Sequence, residues 1–205
     1  MTSMLHRLNT ELAAVTDRAR CALVQIHNGS RGNGAGTIWH PSGLIITNAH
    51  VIAHDLRRGV IGRPALIVTL PDGRTLPATI LAADLDRDLA ALSVIAEDLP
   101  TITLGRSRDL QPGQWVLAVG HPWGIEGAVT GGVVIGTGAG LPEIPHNHHD
   151  WIAVSLHMRP GHSGGPLVDV EGRLVGINTM IAGPDVGYAV PLHAVKAFLK
   201  QELTA

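Results

Sequence analysis

A serine flanked by glycines and prolines lies in the C-terminal third of the chain, in the segment Arg-Pro-Gly-His-Ser-Gly-Gly-Pro at positions 159–166. Glycine frees the backbone and proline removes a hydrogen-bond donor, so the segment predicts a loop rather than a strand or a helix. Such a loop can raise the hydroxyl of Ser163 above a packed sheet and direct backbone N–H groups towards the same point. Acyl transfer needs this geometry, because the nucleophilic oxygen must lie beside a site that binds the developing oxyanion.

A base and an orienting carboxylate for this serine are present upstream. His50 follows the apolar run Leu-Ile-Ile-Thr-Asn-Ala at 44–49, and Asp88 directly precedes the apolar segment 89–92. A serine hydroxyl becomes a strong nucleophile when a histidine takes its proton, and that histidine needs an acceptor on its other nitrogen. The order histidine, aspartate, serine is the one found in chymotrypsin-like proteases, and it differs from the orders in subtilisins and α/β-hydrolases.

Each of the three residues also has a structural interpretation when it is taken alone. His50 can be a capping or core histidine, and Ser163 an ordinary loop residue. Asp88 can be a turn residue, and Asp84 and Asp86 compete with it for the role of the carboxylate. Three residue types in catalytic order, each at the margin of an apolar run, favour catalysis over these separate explanations.

Eight motifs along the chain resemble those of the HtrA/Deg family of trypsin-like serine proteases. They run in order over about residues 20 to 195: Gly-Ala-Gly-Thr-Ile (34–38), Thr-Asn-Ala-His-Val (47–51), Leu-Pro-Asp-Gly-Arg (70–74), Asp-Leu-Ala (88–90), Gly-His-Pro-Trp-Gly (120–124), Thr-Gly-Gly-Val-Val (130–134), Gly-His-Ser-Gly-Gly (161–165) and Gly-Tyr-Ala-Val-Pro (187–191). The resemblance implies His50 as the general base, Asp88 as its orienting partner and Ser163 as the nucleophile. It also implies an oxyanion hole formed by the backbone N–H groups of Gly161 and Ser163.

Short strand-like segments separated by turn signals predict an all-β fold. The clearest pair is a hairpin of 66–70 and 74–80 around an Asp-Gly turn. The resemblance implies a single trypsin-like protease domain over 1–205, made of two six-stranded antiparallel β-barrels with the catalytic cleft between them. We expect the first barrel at about 20–100, the second at 110–191 and a C-terminal helix at 192–203. Apolar residues at three- and four-residue intervals also predict an amphipathic N-terminal helix, through Leu5, Leu8, Leu12 and Val15.

Composition supports a packed domain and argues against several classes of partner. The 205 residues are 45% hydrophobic but only 3% aromatic, so the core must consist mainly of Val, Ile, Leu and Ala. A net charge of −2 with mixed signs gives no basis for binding nucleic acid or an anionic membrane. The N-terminus has no uninterrupted apolar stretch of signal-peptide or membrane-span length, which predicts a cytoplasmic protein. Cys21 is the single cysteine, which excludes an internal disulfide and predicts a small buried hydrophobe.

Three features depart from the family pattern. The chain stops one helix after the protease region, so we expect no peptide-binding PDZ domain. His162 stands where the family commonly has asparagine, and we expect a partly exposed loop histidine there. The stretch 141–150 lies where the family carries its sensor loop, and it contains His146, His148 and His149. These histidines lack a recognised zinc spacing, so we expect a solvated loop and no metal or cofactor, with a pH- or metal-responsive element as the alternative.

The leading functional hypothesis is a serine endopeptidase that acts on unfolded or exposed protein segments, as in protein quality control. The resemblance implies small or medium apolar residues before the scissile bond. The loop expected to line that pocket contains Ile181, Ala182, Val186, Gly187 and Tyr188, and we expect the one charge there, Asp185, on the loop surface.

Two other functions remain open from the sequence. The first is a non-catalytic protein-binding or chaperone-like module that keeps the fold, and the second is a metal-dependent hydrolase that uses the histidine-rich stretch. Family members often form trimers through their N-terminal segment. The N-terminal apolar stripe therefore predicts either a homotrimer contact or packing on the chain's own barrel.

Overall fold

Two closed six-stranded antiparallel β-barrels make up the computed structural model, which describes residues 3–27, 33–141, 149–181 and 185–203. This architecture confirms the fold class predicted from the sequence. The first barrel has the strand order β1-β2-β3-β6-β5-β4 and closes where β1 pairs with β4. Its strands are β1 (Leu23–His27), β2 (Asn33–His40), β3 (Leu44–Thr47), β4 (Pro64–Thr69), β5 (Thr75–Asp84) and β6 (Leu89–Val94).

The second barrel has the order β10-β11-β12-β9-β8-β7 and closes through the pairing of β10 with β7. Its strands are β7 (Trp115–Gly120), β8 (Ala128–Gly138), β9 (Trp151–Ser155), β10 (Pro166–Asp169), β11 (Leu174–Ile181) and β12 (Val186–Pro191). His50, Asp88 and Ser163 lie in connections between the strands of the two barrels, and hydrogen bonds through Thr179 bring these connections together in one cleft.

Three α-helices accompany the barrels: α1 (Met4–Arg20), α2 (Ala53–Arg57) and α3 (Leu192–Leu203). The hydroxyl of Ser3 accepts a hydrogen bond from the N–H of His6 and caps the start of α1. The predicted apolar stripe of this helix is divided, because Val15 is buried while Leu5 and Leu8 are exposed. None of the helices in the described ranges has the length and apolar character needed to cross a membrane.

The core is aliphatic, as the composition requires, and it continues from one barrel into the other. Helix α3 helps to join them, since it contacts β5 and β6 of the first barrel as well as β11 and β12 of the second. Its Phe198 is fully buried. Cys21 is exposed at the end of α1, so the expectation of a buried cysteine is wrong. The helix ends at the surface there, and the Cys21 thiol donates to the Asp17 carbonyl.

Strand β2 begins at Asn33 and includes the two glycines Gly34 and Gly36. The glycines serve close packing here rather than flexibility. A Cβ on Gly36 would lie 2.8 Å from Cγ2 of Ile45 and 2.9 Å from Cγ2 of Val24. This part of β2 also reaches the second barrel, because the N–H of Ala35 donates to the Ser163 carbonyl at 2.9 Å.

Candidate active site

His50 and Asp88 form a close pair on the first barrel. His50 opens a short 3-10 helix, His50–Ile52, just after β3, and Asp88 lies in the turn between β5 and β6. The Nδ1 atom of His50 is 2.8 Å from Oδ2 of Asp88, and the backbone N–H of His50 donates to the other carboxylate oxygen at 2.9 Å. Two bonds to one carboxylate fix the direction of the imidazole and leave its Nε2 on the opposite side of the ring.

The local backbone explains why Asp88, rather than its acidic neighbours, reaches His50. Asp88 has a left-handed backbone with φ of 53°, a conformation that aspartate tolerates better than most residues. The side-chain amide of Asn48 fixes this turn by donating to the Asp88 carbonyl at 2.9 Å. The carboxylate of Asp84 instead accepts from the backbone and guanidinium of Arg87.

Ser163 enters the same cleft from the connection between β9 and β10, but its hydroxyl does not bond to His50. Its Oγ donates to the carbonyl of Thr179 at 2.9 Å. The hydroxyl of Thr179 in turn donates to Oδ2 of Asp88. The structure therefore connects the three predicted catalytic residues through Thr179, which belongs to β11 and is buried.

Glycines hold the loop around Ser163 in shape. Residues 159–162 form a turn in which the N–H of His162 donates to the Arg159 carbonyl at 3.0 Å, and Gly161 has φ of 105°. A left-handed residue at this position of a turn is the signature of type II geometry, which favours glycine. Gly164 has φ of 85°, and a Cβ there would overlap the carbonyl oxygen of Ala35.

The two predicted oxyanion donors, the N–H groups of Gly161 and Ser163, have no acceptor among the described residues. The carbonyls of the same residues are occupied, by the N–H of His121 for Gly161 and by the N–H of Ala35 for Ser163. Fixed carbonyls leave the two N–H groups free for a ligand oxygen. An arrangement of this kind can stabilise negative charge on an oxygen placed between the two donors.

The loop that carries Ser163, residues 156–165 between β9 and β10, is called the nucleophile loop here. It lies between β11 and the segment that follows β7. On one side the N–H of Gly164 donates to the carbonyl of Asn178 at 2.9 Å, and on the other His121 bonds to Gly161 at 2.8 Å. His162 is only 3% exposed, so the expectation of a partly exposed histidine is wrong. The turn lies close to the end of β7 of the second barrel, since a Cβ on Gly120 would be 2.6 Å from the Cα of His162. Burial lowers the pKa of His162, and the charge of Arg159 acts in the same direction.

The described residues predicted to line the specificity pocket lie at the end of β11 and in β12. Tyr188 is buried, Val186 is half-buried and Ile181 is largely exposed, while Ala182 lies outside the described residues. Met158, which the sequence did not single out, packs against Gly187. A Cβ on that glycine would lie 3.0 Å from Cγ, Sδ and Cε of Met158.

Asp185 is exposed, as expected, and pairs with His157 at 2.8 Å. Of the histidine-rich stretch, His146 and His148 lie outside the described residues, and His149 is half-buried. Within the described ranges, no group of three or more metal-ligating side chains is close enough to hold an ion.

A second serine–histidine–aspartate arrangement lies away from the cleft. His193, at the start of α3, has Nδ1 2.9 Å from Oγ of Ser107 and Nε2 3.0 Å from Oδ2 of Asp150. The Ser107 hydroxyl also accepts from the backbone N–H of His193 at 3.1 Å and is almost fully buried. Local sequence patterns could not reveal this network or the role of Thr179, because each of these contacts joins residues that are distant in the chain. For Met158 one signal was available, its position just before the glycine-rich segment that carries Ser163.

Comparison with known proteins agrees with this geometry. The chain matches the trypsin-like peptidase domain family over residues 34–177. It is 38% identical over 173 residues to the mitochondrial serine protease HTRA2 of Drosophila willistoni, a match that covers 82% of this chain and 38% of that protein. It is 40% identical over 158 residues to a probable periplasmic DegP-like serine endoprotease of Halomonas elongata, a match that covers 77% of this chain and 31% of that protein.

Solved structures extend the match to nearly the whole chain. The HtrA-type protease AlgW with a decapeptide superposes with a TM-score of 0.81 at 28% identity, over 94% of this chain and 67% of that one. The double barrel with its cleft thus has the architecture of a trypsin-like serine peptidase. Within that class the chain belongs to the HtrA/Deg family, as its motifs indicated, and it spans less than two fifths of the curated relatives named above.

Proposed function

We propose that this chain is a serine endopeptidase that cleaves unfolded or exposed polypeptide segments through His50, Asp88 and Ser163. The observation that carries the proposal is the pair of hydrogen bonds from His50 to the Asp88 carboxylate, beside the glycine-rich loop of Ser163. These bonds leave Nε2 of His50 as the nitrogen available to a serine. The family membership of the chain supports the same reaction.

The acylation step follows from these positions. Rotation of the Ser163 hydroxyl away from the Thr179 carbonyl brings Oγ towards Nε2 of His50. Oγ then attacks the substrate carbonyl carbon while His50 takes its proton, and Asp88 stabilises the resulting imidazolium. His50 returns that proton to the leaving amine as the C–N bond breaks, which leaves an acyl group on Ser163.

Deacylation repeats the chemistry with water as the nucleophile. His50 takes a proton from water, the new C–O bond forms, and the bond between the acyl carbon and Ser163 breaks as Oγ regains its proton. In both halves the substrate carbonyl oxygen carries the developing negative charge. We assign its stabilisation to the N–H groups of Gly161 and Ser163, which have no acceptor among the described residues.

Small or medium apolar residues are the proposed preference before the scissile bond. Met158 occupies the space next to Gly187 of β12. The side chain of Asp185 is exposed and already paired with His157, so it offers no buried charge for a basic residue. We infer that an apolar surface partly filled by Met158 accommodates side chains of limited length better than aromatic ones.

Polypeptide is the proposed partner of the cleft. Two similar structures are HtrA-type proteases with a bound decapeptide and a bound tripeptide. The exposed residues Met4, Leu5 and Leu8 of α1 are an apolar surface that a homotrimer contact would cover. We include that trimer in the proposal, and sedimentation analysis of a Leu5→Glu, Leu8→Glu double variant tests it.

A non-catalytic protein-binding module is the second candidate, favoured by one observation. The Ser163 hydroxyl donates to the Thr179 carbonyl and not to His50, so in this conformation the serine is not paired with its proposed base. In a resting enzyme the same contact is compatible with activity, because catalytic hydrogen bonds often tighten only when substrate is bound.

Covalent labelling with a fluorophosphonate probe separates the two candidates. We expect labelling of the wild type at neutral pH and none of Ser163→Ala, with Ser107→Ala as the matched control that keeps full labelling. In a casein digestion assay we expect the wild type and Ser107→Ala to cleave the substrate and Ser163→Ala to leave it intact. A folded wild type that takes no label would support the binding module instead.

A further inference from the structure

Two buried histidines lie in and beside the nucleophile loop. His162 lies within the loop and is 3% exposed, and His121 lies in the neighbouring segment after β7 and is 8% exposed. Their burial lowers the pKa of both rings. A buried imidazole near a proposed oxyanion site is a group whose protonation can alter the site itself, so the hydrogen bonds of each ring decide its effect.

The ring of His162 closes the turn that contains Gly161. The backbone N–H of Arg159 donates to Nδ1 of His162 at 3.1 Å. An N–H directed at Nδ1 requires a lone pair there, so the proton of the neutral ring is on Nε2. The Arg159 carbonyl also lies 3.1 Å from Nδ1, and it accepts from the backbone N–H of His162 at 3.0 Å. We assign Nδ1 as an acceptor, because this tautomer gives the N–H of Arg159 a partner. Both polar backbone groups of Arg159 are therefore satisfied by His162, one by its ring and one by its main chain.

Protonation of His162 would remove the acceptor that this turn needs. An imidazolium has no lone pair on either nitrogen, so the N–H of Arg159 would lose its partner and face a second N–H. Nε2 of His162 is buried and has no partner among the described residues. The charged ring could bond within the turn only to the Arg159 carbonyl, while the N–H of Arg159 would be left without its acceptor. Protonation therefore favours an opened turn, in which the Gly161 N–H moves away from Ser163.

The groups around His162 oppose its protonation on balance. The guanidinium of Arg159, stacked 5.0 Å from the centre of the Trp123 ring, bears on His162 from its own turn and lowers its pKa together with burial. The carbonyl of Arg159 acts in the opposite direction, but burial outweighs it. The neutral ring is therefore the form that the folded turn favours.

The groups around His121 have a similar balance. Burial and the charges of His27 of β1 and of His162 lower its pKa, while the carboxylate of Glu126 and a hydrogen bond with the backbone of Val24 act in the opposite direction. Nδ1 of His121 also accepts a long hydrogen bond from Gly127, so this ring too is bonded in its neutral form.

We propose that His162 is a positioning residue for catalysis, whose neutral Nδ1 holds the 159–162 turn and hence the Gly161 oxyanion donor in place. Acidification then disables the 159–162 turn, in addition to the acid limb of the pH profile that general-base catalysis by itself produces. The inference rests on the proposed function, because it concerns the same oxyanion site.

The pH dependence of kcat/KM for a short peptide substrate measures the effect of His162 protonation on the 159–162 turn. Protonation of one essential base gives log(kcat/KM) a limiting slope of about 1 against pH, and a second group that must be neutral raises it to about 2. We expect a slope that rises towards 2 in the wild type and stays near 1 in His162→Asn. The asparagine carboxamide oxygen can replace Nδ1 as the acceptor for Arg159, and it does not titrate.

Two further variants test the acceptor itself. At neutral pH we expect His162→Ala to reduce kcat/KM by about 10²-fold, the usual effect of misplacing one oxyanion donor, and His162→Asn to lose only about 10-fold or less. His40→Asn removes an exposed histidine at a distant turn and should leave the slope at its wild-type value. Equal losses in His162→Asn and His162→Ala would contradict the acceptor role.

An NMR titration of the wild type provides a readout that does not depend on turnover. The Arg159 amide signal should shift with the same midpoint as the His162 ring, and the Arg159 shift should vanish in His162→Asn. If the wild type reacts with the fluorophosphonate, but the unlabelled enzyme shows the same pH slope as His162→Asn, this inference alone is overturned. An Arg159 amide signal that does not follow the His162 titration has the same consequence. A wild type that takes no label overturns the proposed function and this inference with it.

Discussion

The described part of the chain contains two clusters of serine, histidine and aspartate with similar distances. His50 lies 2.8 Å from Asp88 beside the Ser163 loop, and His193 lies 3.0 Å from Asp150 and 2.9 Å from Ser107. The imidazoles point in opposite senses, since Nδ1 faces the aspartate in the first cluster and the serine in the second. Short distances between these residue types therefore do not distinguish a catalytic site from a structural network.

The surroundings of the two serines make the distinction. Ser107 is almost fully buried, and its hydroxyl is held by both the ring and the backbone N–H of His193. Ser163 lies in a loop where Gly161 and Gly164 adopt left-handed conformations and two N–H groups lack an acceptor among the described residues. Ser163 differs from the structural serine in two ways: its hydroxyl is less buried and it lies beside backbone N–H groups without an acceptor. Both features depend on the glycines of its loop.

The largest expected contrast comes from the two aspartates. Asp88→Asn keeps the size of the side chain but offers His50 a donor in place of an acceptor, and a comparable change in trypsin lowers kcat by about 10⁴-fold. Asp150→Asn makes the same change beside His193 and should leave kcat for casein cleavage unaltered. The measurement is kcat for both variants, with Asp86→Asn as a neighbour control. A silent Asp88→Asn with a damaging Asp86→Asn would move the carboxylate role by two residues.

A methyl group on Gly164 tests the role of the loop. Gly164→Ala would force a Cβ against the carbonyl oxygen of Ala35 on the first barrel, and the displaced loop should lower kcat/KM by about 10²–10³-fold, the effect of losing one oxyanion donor. Gly113 has a similar φ of 90°, and a Cβ on it would meet no atom within 4 Å. Gly113→Ala should therefore reduce only the free energy of unfolding, by about 1–2 kcal/mol. Equal kcat/KM in the two variants would show that activity does not depend on the close contact between Gly164 and the Ala35 carbonyl.

Substitution of Thr179 should lower kcat by less, because this residue contributes a single hydrogen bond to the Asp88 carboxylate. Its hydroxyl donates to the Asp88 carboxylate, and loss of a hydrogen bond to a charged group costs about 1.5–3 kcal/mol. We expect Thr179→Val to lower kcat by about 10- to 100-fold, and Thr179→Ser, which keeps the hydroxyl, to retain most of the activity. Loss of activity in both variants would assign Thr179 a packing role instead.

Alternating apolar strands and turn residues are local signals, and they predicted the all-β class, whereas the two six-stranded barrels were implied by the resemblance of the motifs to the HtrA/Deg family. The Asp-Gly hairpin between β4 and β5, for example, is set by residues adjacent in the chain. The burial of His162 was not predictable in the same way, because it depends on how the 159–162 turn packs against the second barrel. The bond between Thr179 and Asp88 joins positions 91 residues apart, and no pattern within either segment encodes it.

The last and smallest expected effect concerns stability at low pH and the buried ring of His121. Burial lowers the pKa of His121 from its ordinary value of 6.5, so the unfolded chain binds a proton more readily than the folded one. The stability associated with this group is therefore complete above pH 6.5 and is lost as the pH falls towards the folded pKa. His121→Asn removes this titration while its amide oxygen can accept the hydrogen bond from Gly127.

Denaturant unfolding of the wild type and the variant, at about pH 7.5 and about pH 5, measures this linkage. The wild type should lose more free energy of unfolding between the two pH values than His121→Asn does. His40→Asn, which removes an exposed histidine, should follow the wild type. An identical loss in all three proteins would mean that the ring of His121 is protonated without cost in the folded state, and that the segment after β7 relaxes more easily than its close contact with the Ser163 loop indicates.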